Sequence, residues 1–303
     1  MKIINRLRKM VIFSAVLSLM IGCGQNKKNY KLSDLNYLNH FYLAENNKNE
    51  RIYILGTLHL TKKDVNEFPG EILKGFNSSK EIYIETKIDL EATKKYQNKL
   101  YENSIYTLID NKYILKYWKD IKENYKTIEE KYNVFNAIAI QSLASKEVIT
   151  ELGLKAENTM DMYIFNKAKK DKKKIIEVEG IEKQYSIISD ISKKCPSIVL
   201  KQIADKKRYL EQTKNIWEDF CHGKEMKDSI SEFVKDETEE SLLKEIKAYN
   251  DILLNKRNNK MNEILLKSKV KSKFIAVGAA HIYGSNGIIN YLREKGYKIS
   301  NYK

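Results

Sequence analysis

Apolar positions follow two rhythms along this chain, and their alternation predicts an α/β fold. Strand-like stretches occur at Phe41 to Ala44, Arg51 to Leu55, Glu81 to Glu85, Lys174 to Glu179, Phe274 to Val277 and Tyr297 to Ile299. Ile52 to Leu55 and Phe274 to Val277 are continuous apolar runs, the mark of strands buried on both faces. The first two stretches flank the polar loop Glu45 to Glu50, as in a hairpin. Elsewhere the period is helical. Ile72, Leu73 and Phe76 share a face behind Pro69, which suits a helix start. Phe135, Ile138, Leu143 and Val148 form a stripe between Val134 and Leu152. Met160, Tyr163, Ile164 and Ala168 form another, and Lys169 to Lys174 crowd its end in keeping with the helix dipole. Ile288, Ile289 and Leu292 precede Gly296, a helix-ending glycine. Strands alternating with helices predict a central mixed, largely parallel sheet with flanking helices. Residues 90–172 and 181–268 read as helical cap segments, a large insertion over that sheet, the second broken at Cys195-Pro196.

Ahead of this body lies a different pattern. Lys2, Arg6, Arg8 and Lys9 precede an apolar run from Met10 to Ile21, the layout of a secretory signal. The run is shorter than the ~20 residues that span a hydrocarbon core. It ends in Met20-Ile21-Gly22-Cys23, which resembles a lipoprotein cleavage site with Met in place of the usual Leu. The reading is therefore a signal peptide over 1–22, then lipidated Cys23 and a tether over 23–37, of which Gly24 to Asn29 is polar. The folded domain occupies 38–303. An uncleaved single-span anchor exports the body equally. The expected location is the extracytoplasmic face of a membrane, held by lipid.

Charge changes the picture little. The full chain carries +15; the signal holds four of those positives and no acid, which leaves +11. Export argues against nucleic acid, and Lys mixed with Glu, Asn and Tyr reads as a solvated basic surface able to attract anionic lipid or cell wall. Export also permits a disulfide between Cys195 and Cys221.

Four strand ends carry the candidate chemistry. The second stretch runs into Gly56-Thr57-Leu58-His59 and the fifth into Gly278-Ala279-Ala280-His281; the third ends at Glu85 and the fourth at Glu179. Ligands bind beyond the carboxyl ends of parallel strands, so two imidazoles and two carboxylates there suit a divalent transition metal such as Zn, Mn or Co. Gly56 and Gly278 are expected to let the chain turn off its strand and approach a ligand closely. One Gly-x-x-His alone carries little information; two copies in the same setting, among few histidines, carry more. His40 and His222 lack that setting.

The order of these elements resembles the TraB/GumN family. Tyr53 to Leu60, Pro69 to Phe76 and Ile82 to Glu85 are similar to its N-terminal half. Met160-Asp161, Ala168, Val178-Glu179 and Gln184 are similar to its middle, and Arg257-Asn258-x-x-Met261 with Phe274 to His281, Gly284, Gly287, Leu292 and Gly296-Tyr297 to its end. The resemblance implies a fold akin to the haem-binding ChaN and erythromycin-esterase group. It also points to the Tiki proteases, thought metal-dependent, and to a regulator of peptide pheromone activity. Carried over, His59, His281, Glu85 and Glu179 are candidate metal ligands. Glu85 or Glu179 is the candidate general base, Arg257 the group that grips an oxyanion or carboxylate, and Asp161 a support.

Three functions remain open at this point: a metal-dependent hydrolase acting on a peptide or small protein, a binder that sequesters a peptide or haem, and a structural envelope lipoprotein. The oligomeric state is open as well.

Overall fold

The computed structural model describes residues 30–87, 90–226 and 238–302. The signal, Cys23 and the first tether residues lie outside the described residues. Six strands form one sheet: β1 Phe41–Glu45, β2 Arg51–Thr57, β3 Glu81–Ile84, β4 Lys174–Glu177, β5 Ser272–Gly278 and β6 Lys298–Asn301. Their order is β4-β3-β5-β2-β1-β6. The pairs β4–β3, β3–β5 and β5–β2 are parallel, whereas β1 runs antiparallel to both β2 and β6. The sheet is thus mixed and largely parallel. The central strands are sealed on both faces, with Ile54, Leu55, Phe274, Ile275 and Val277 fully buried.

Strand register positions the candidate residues. Thr57 of β2 lies opposite Gly278 of β5, and Gly56 opposite Val277. The two Gly-x-x-His motifs therefore leave the sheet side by side, from adjacent strands pointing the same way. Ile84 of β3 lies opposite Ala276 on one side and Glu177 on the other. Glu179, Glu85, His281 and His59 accordingly follow the carboxyl ends of four neighbouring strands.

Helices α1 Gly70–Ser78, α2 Leu90–Tyr96, α3 Lys112–Asn124, α4 Ala137–Glu151 and α5 Met160–Lys170 precede β4. After it come α6 Ile181–Lys194, α7 Pro196–Ala204, α8 Lys206–Cys221, α9 Glu240–Asn250 and α10 Lys256–Lys267, with α11 Ile288–Glu294 before β6. The apolar interior divides in two. One cluster belongs to the sheet with α5, α10 and α11; the other belongs to the cap and centres on residues such as Trp118, Ile140, Ile198 and Trp217. The expected break is real: Pro196 opens α7 immediately after Cys195 ends α6.

Two expectations shift, and one open question closes. The helix anticipated from Val134 starts at Ala137, because Asn136 caps it through the Ala139 amide; residues 130–134 form a separate tight turn. The chain is knitted to the fold before residue 37. Leu32 is buried in the cap, Ser33 donates its amide to Glu218 at 2.9 Å, and the Trp217 indole donates to the Ser33 carbonyl at 3.0 Å. Cys195 and Cys221 do not pair; both are buried free thiols. Among the described residues no helix is long and apolar enough to cross a membrane.

Candidate functional site

Each candidate side chain is delivered by one strand end and fixed by a partner from a distant element. His59 follows β2, and its Nδ1 lies 2.8 Å from Asp161 Oδ2 in the first turn of α5. The other Asp161 oxygen accepts from the Thr57 hydroxyl at 2.6 Å. His281 follows β5, and its Nδ1 lies 2.6 Å from Asn258 Oδ1 on α10. Glu85 follows β3. Its Oε1 accepts from the Gly278 amide at 2.7 Å and its Oε2 faces the Arg257 guanidinium at 3.3 Å. Glu179 follows β4 and receives Arg257 in a two-point pairing, at 2.6 Å through Nε and 2.9 Å through Nη2. Gly180, at φ +85°, turns the chain so that its own amide and that of Glu179 both donate to the Glu85 carbonyl at 3.0 Å. Only glycine occupies that conformation without strain.

Of the two roles expected of the motif glycines, the turn does not require glycine, whereas the close approach does. Neither has a positive φ, and Gly278 sits at an ordinary extended conformation, φ −49° and ψ 135°. Both are needed for close approach. A Cβ on Gly56 would fall 2.8 Å from Ile282 Cδ1 and 3.3 Å from Ala279 Cα, so the turn after β5 packs onto bare β2 backbone. A Cβ on Gly278 would stand 3.2 Å from Glu85 Oε1, 3.8 Å from His281 Cδ2 and 3.9 Å from His59 Nε2. Three side chains, spread over more than half the sequence, thus come within 4 Å of one point. His281 Nε2 and Glu85 Oε1 are 3.9 Å apart.

The site has an open and a closed side. The side chains of His59 and Asp161 are 26% and 24% exposed, against 5% for Arg257 and 3% for Glu179. Burial disfavours a charged His59 ring, yet the charge and hydrogen bond of Asp161, with Glu85 behind, outweigh it and push the pKa up to about 9. Burial and the Arg257 charge push His281 down to about 3, so that ring stays neutral. Burial also opposes ionisation of Glu85, but the Arg257 and His59 charges and the Gly278 amide hold its pKa below the ordinary carboxylate range.

The donors match a transition metal in kind more than in spacing. Among the described residues no three His, Cys, Asp or Glu side chains stand close enough to hold an ion as they are. In kind and orientation the donors nevertheless suit one. Each imidazole has its Nδ1 engaged by an oxygen acceptor, which directs Nε2 inward, the arrangement in which ligating histidines are held. Glu85 supplies a carboxylate beside them. Both Glu179 oxygens accept from Arg257, a pairing that orients the guanidinium.

A sequence model of the TraB/PrgY/gumN family matches residues 41–301. The chain belongs to that family. Among its relatives is the "Uncharacterized protein YbaP" of Escherichia coli (strain K12), 21% identical over 256 residues, which covers 81% of this chain and 89% of YbaP. No solved structure matches. In this TraB/PrgY/gumN chain all of His59, His281, Glu85, Glu179, Arg257 and Asp161 meet at the carboxyl end of the sheet. The other two histidines stand elsewhere. His40 is buried against Phe220, and His222 is exposed at the end of α8. Thr57 and Asn258 stand inside the motifs read from the sequence, but no site role could be read for them, because the role of a hydroxyl or amide depends on its partner.

Proposed function

We propose that this chain is a membrane-anchored, extracytoplasmic, metal-dependent hydrolase that acts on a peptide or small protein. The observation that carries the reading is the convergence of His59, His281 and Glu85 on the space beside Gly278. A divalent ion held there by the two Nε2 atoms and Glu85 would supply Lewis-acid polarisation of a peptide carbonyl and acidify water. The chain's own residues do the rest. Asp161 orients the His59 imidazole. Arg257, buried between Glu85 and Glu179, places a fixed cation behind the site and helps keep Glu85 ionised as a ligand, and a carboxylate not used as a ligand would take the proton of the water. His59, on the open side, is the group a substrate meets first.

A second reading is a binder that sequesters a peptide or haem without turnover. It is favoured by the open side of the site, where the His59 and Asp161 side chains, 26% and 24% exposed, can meet a ligand without further chemistry. The two readings separate in one experiment. Purified protein is analysed for Zn, Mn and Co and assayed for cleavage of a mixed peptide library, beside His59→Ala and His281→Ala. Hydrolysis predicts retained metal and cleavage, both lost in either variant. Cleavage untouched by both substitutions, with no metal retained, would discard it. Anchoring is tested by Cys23→Ser, which should move the protein from the detergent phase to the aqueous phase.

A further inference from the structure

The two histidines carry the same motif, but different chemistry holds them. His59 faces a carboxylate, whereas His281 faces the side-chain amide of Asn258, which is 3% exposed and lies 2.6 Å from Nδ1. An amide oxygen can only accept, so it demands a proton on Nδ1 and leaves Nε2 as a lone pair. In water the neutral ring prefers the opposite tautomer, with the proton on Nε2. The second observation concerns what Nε2 faces. It is 3.9 Å from Glu85 Oε1, beyond hydrogen-bond reach. Glu85 is itself held by the Gly278 amide and Arg257, so Nε2 of His281 makes no bond to it and stays available.

The third observation is the support behind Asn258. It lies on α10 next to Arg257, just after a π-helical turn at Asp251–Asn255. That turn leaves the Leu253 carbonyl to accept from Arg257 Nη1 at 3.2 Å. Along the same region, Asn255 accepts from the Asn286 side chain at 3.0 Å and Asn262 donates to the Asn286 carbonyl at 3.2 Å. Three asparagines thus clasp the segment that carries His281. Asn255 and Asn262 hold Asn286 of the following loop by its side chain and its carbonyl, and Asn258 holds the ring.

We propose that Asn258 is a positioning residue that locks His281 in the Nδ1–H tautomer, so that its Nε2 lone pair faces Glu85 and whatever donor or cation lies between them. Its functional consequence rests on the hydrolase reading; the tautomer itself does not. The two are therefore read separately.

The full chain in detergent, stripped of metal with chelator and labelled with ¹⁵N-histidine, is examined by long-range ¹H–¹⁵N correlation at pH 7.5. His281 is assigned by difference against His281→Gln. The wild type and Asn258→Asp, which keeps an oxygen acceptor, should both show the proton on Nδ1. Asn258→Leu should shift His281 to the Nε2–H form or a mixture. A wild-type ring protonated on Nε2 overturns the proposal, as does Asn258→Leu with an unchanged Nδ1–H signal. If Asn258→Leu does not fold, the first two spectra still decide. Zinc titration of the same samples reads the consequence: affinity should fall about 10- to 100-fold in Asn258→Leu, the usual cost of removing such a partner, and return in Asn258→Asp. A wild type that holds Nδ1–H yet takes up no zinc ends the metal reading and leaves the tautomer assignment standing.

Discussion

Gly278→Ala separates the site from the fold more cleanly than any ligand substitution. The backbone there, φ −49° and ψ 135°, is open to alanine. Losing glycine's freedom in the unfolded chain stabilises by about 0.4–1 kcal/mol. Against this, the new methyl stands 3.2 Å from Glu85 Oε1, which must give by a few tenths of an ångström and loosen its 2.7 Å bond to the Gly278 amide. That costs about 1 kcal/mol. The other two contacts, 3.8 and 3.9 Å, are ordinary. The terms offset, so unfolding stability should stay within about 1 kcal/mol of wild type. Ligand binding should not survive, because the methyl occupies the point the three side chains share. A loss of at least about 100-fold, or roughly 2.7 kcal/mol, is expected in Zn, Mn or Co affinity, with peptide turnover falling alongside. Urea denaturation and metal titration of the stripped protein measure the two halves. A folded Gly278→Ala protein that binds metal and cleaves peptide within threefold of wild type would refute the assignment of that space. Gly56→Ala supplies the contrast. Its methyl meets Ile282 at 2.8 Å and Ala279 backbone at 3.3 Å, so it should cost about 1–3 kcal/mol of stability by overpacking.

The same geometry sets the other expected outcomes. Arg257→Met strands the buried carboxylates of Glu179 and Glu85 and should destabilise by about 3–5 kcal/mol; an unchanged urea midpoint would contradict the pairing. His40 is buried, and burial lowers its pKa from 6.5, so the unfolded chain takes up its proton first. Its contribution is present above about pH 6.5 and lost as pH falls below it, at up to about 1.4 kcal/mol per pH unit. His40→Gln should flatten the acid limb of a stability–pH curve, and an identical limb would count against a neutral His40. Burial pushes both free thiols, Cys195 and Cys221, up to about 12. In a Cys23→Ser protein a thiol reagent should therefore find two groups on unfolding without reductant and almost none in the native state; finding none in either state would mean a disulfide.

Sequence alone determined the strands and most helices, since burial on one or both faces imposes a period that a single chain displays. It also placed His59, Glu85, Glu179 and His281 at strand ends, and the resemblance added Arg257 and Asp161. Tertiary structure decided which of these touch. Ile54 and Ile275 look alike in sequence, but only parallel register sets Thr57 against Gly278 and brings two rings, over two hundred residues apart, to one point. The roles of the carboxylates were likewise invisible: Glu85 and Glu179 end similar strands, yet a single guanidinium engages both oxygens of one and only a corner of the other. Asn258 illustrates the limit most sharply. An amide has no charge or period to announce it, and its meaning comes from the ring nitrogen 2.6 Å away. Local pattern is written by solvent along the chain, whereas a site is made by contacts across it, and those exist only once the sheet has formed.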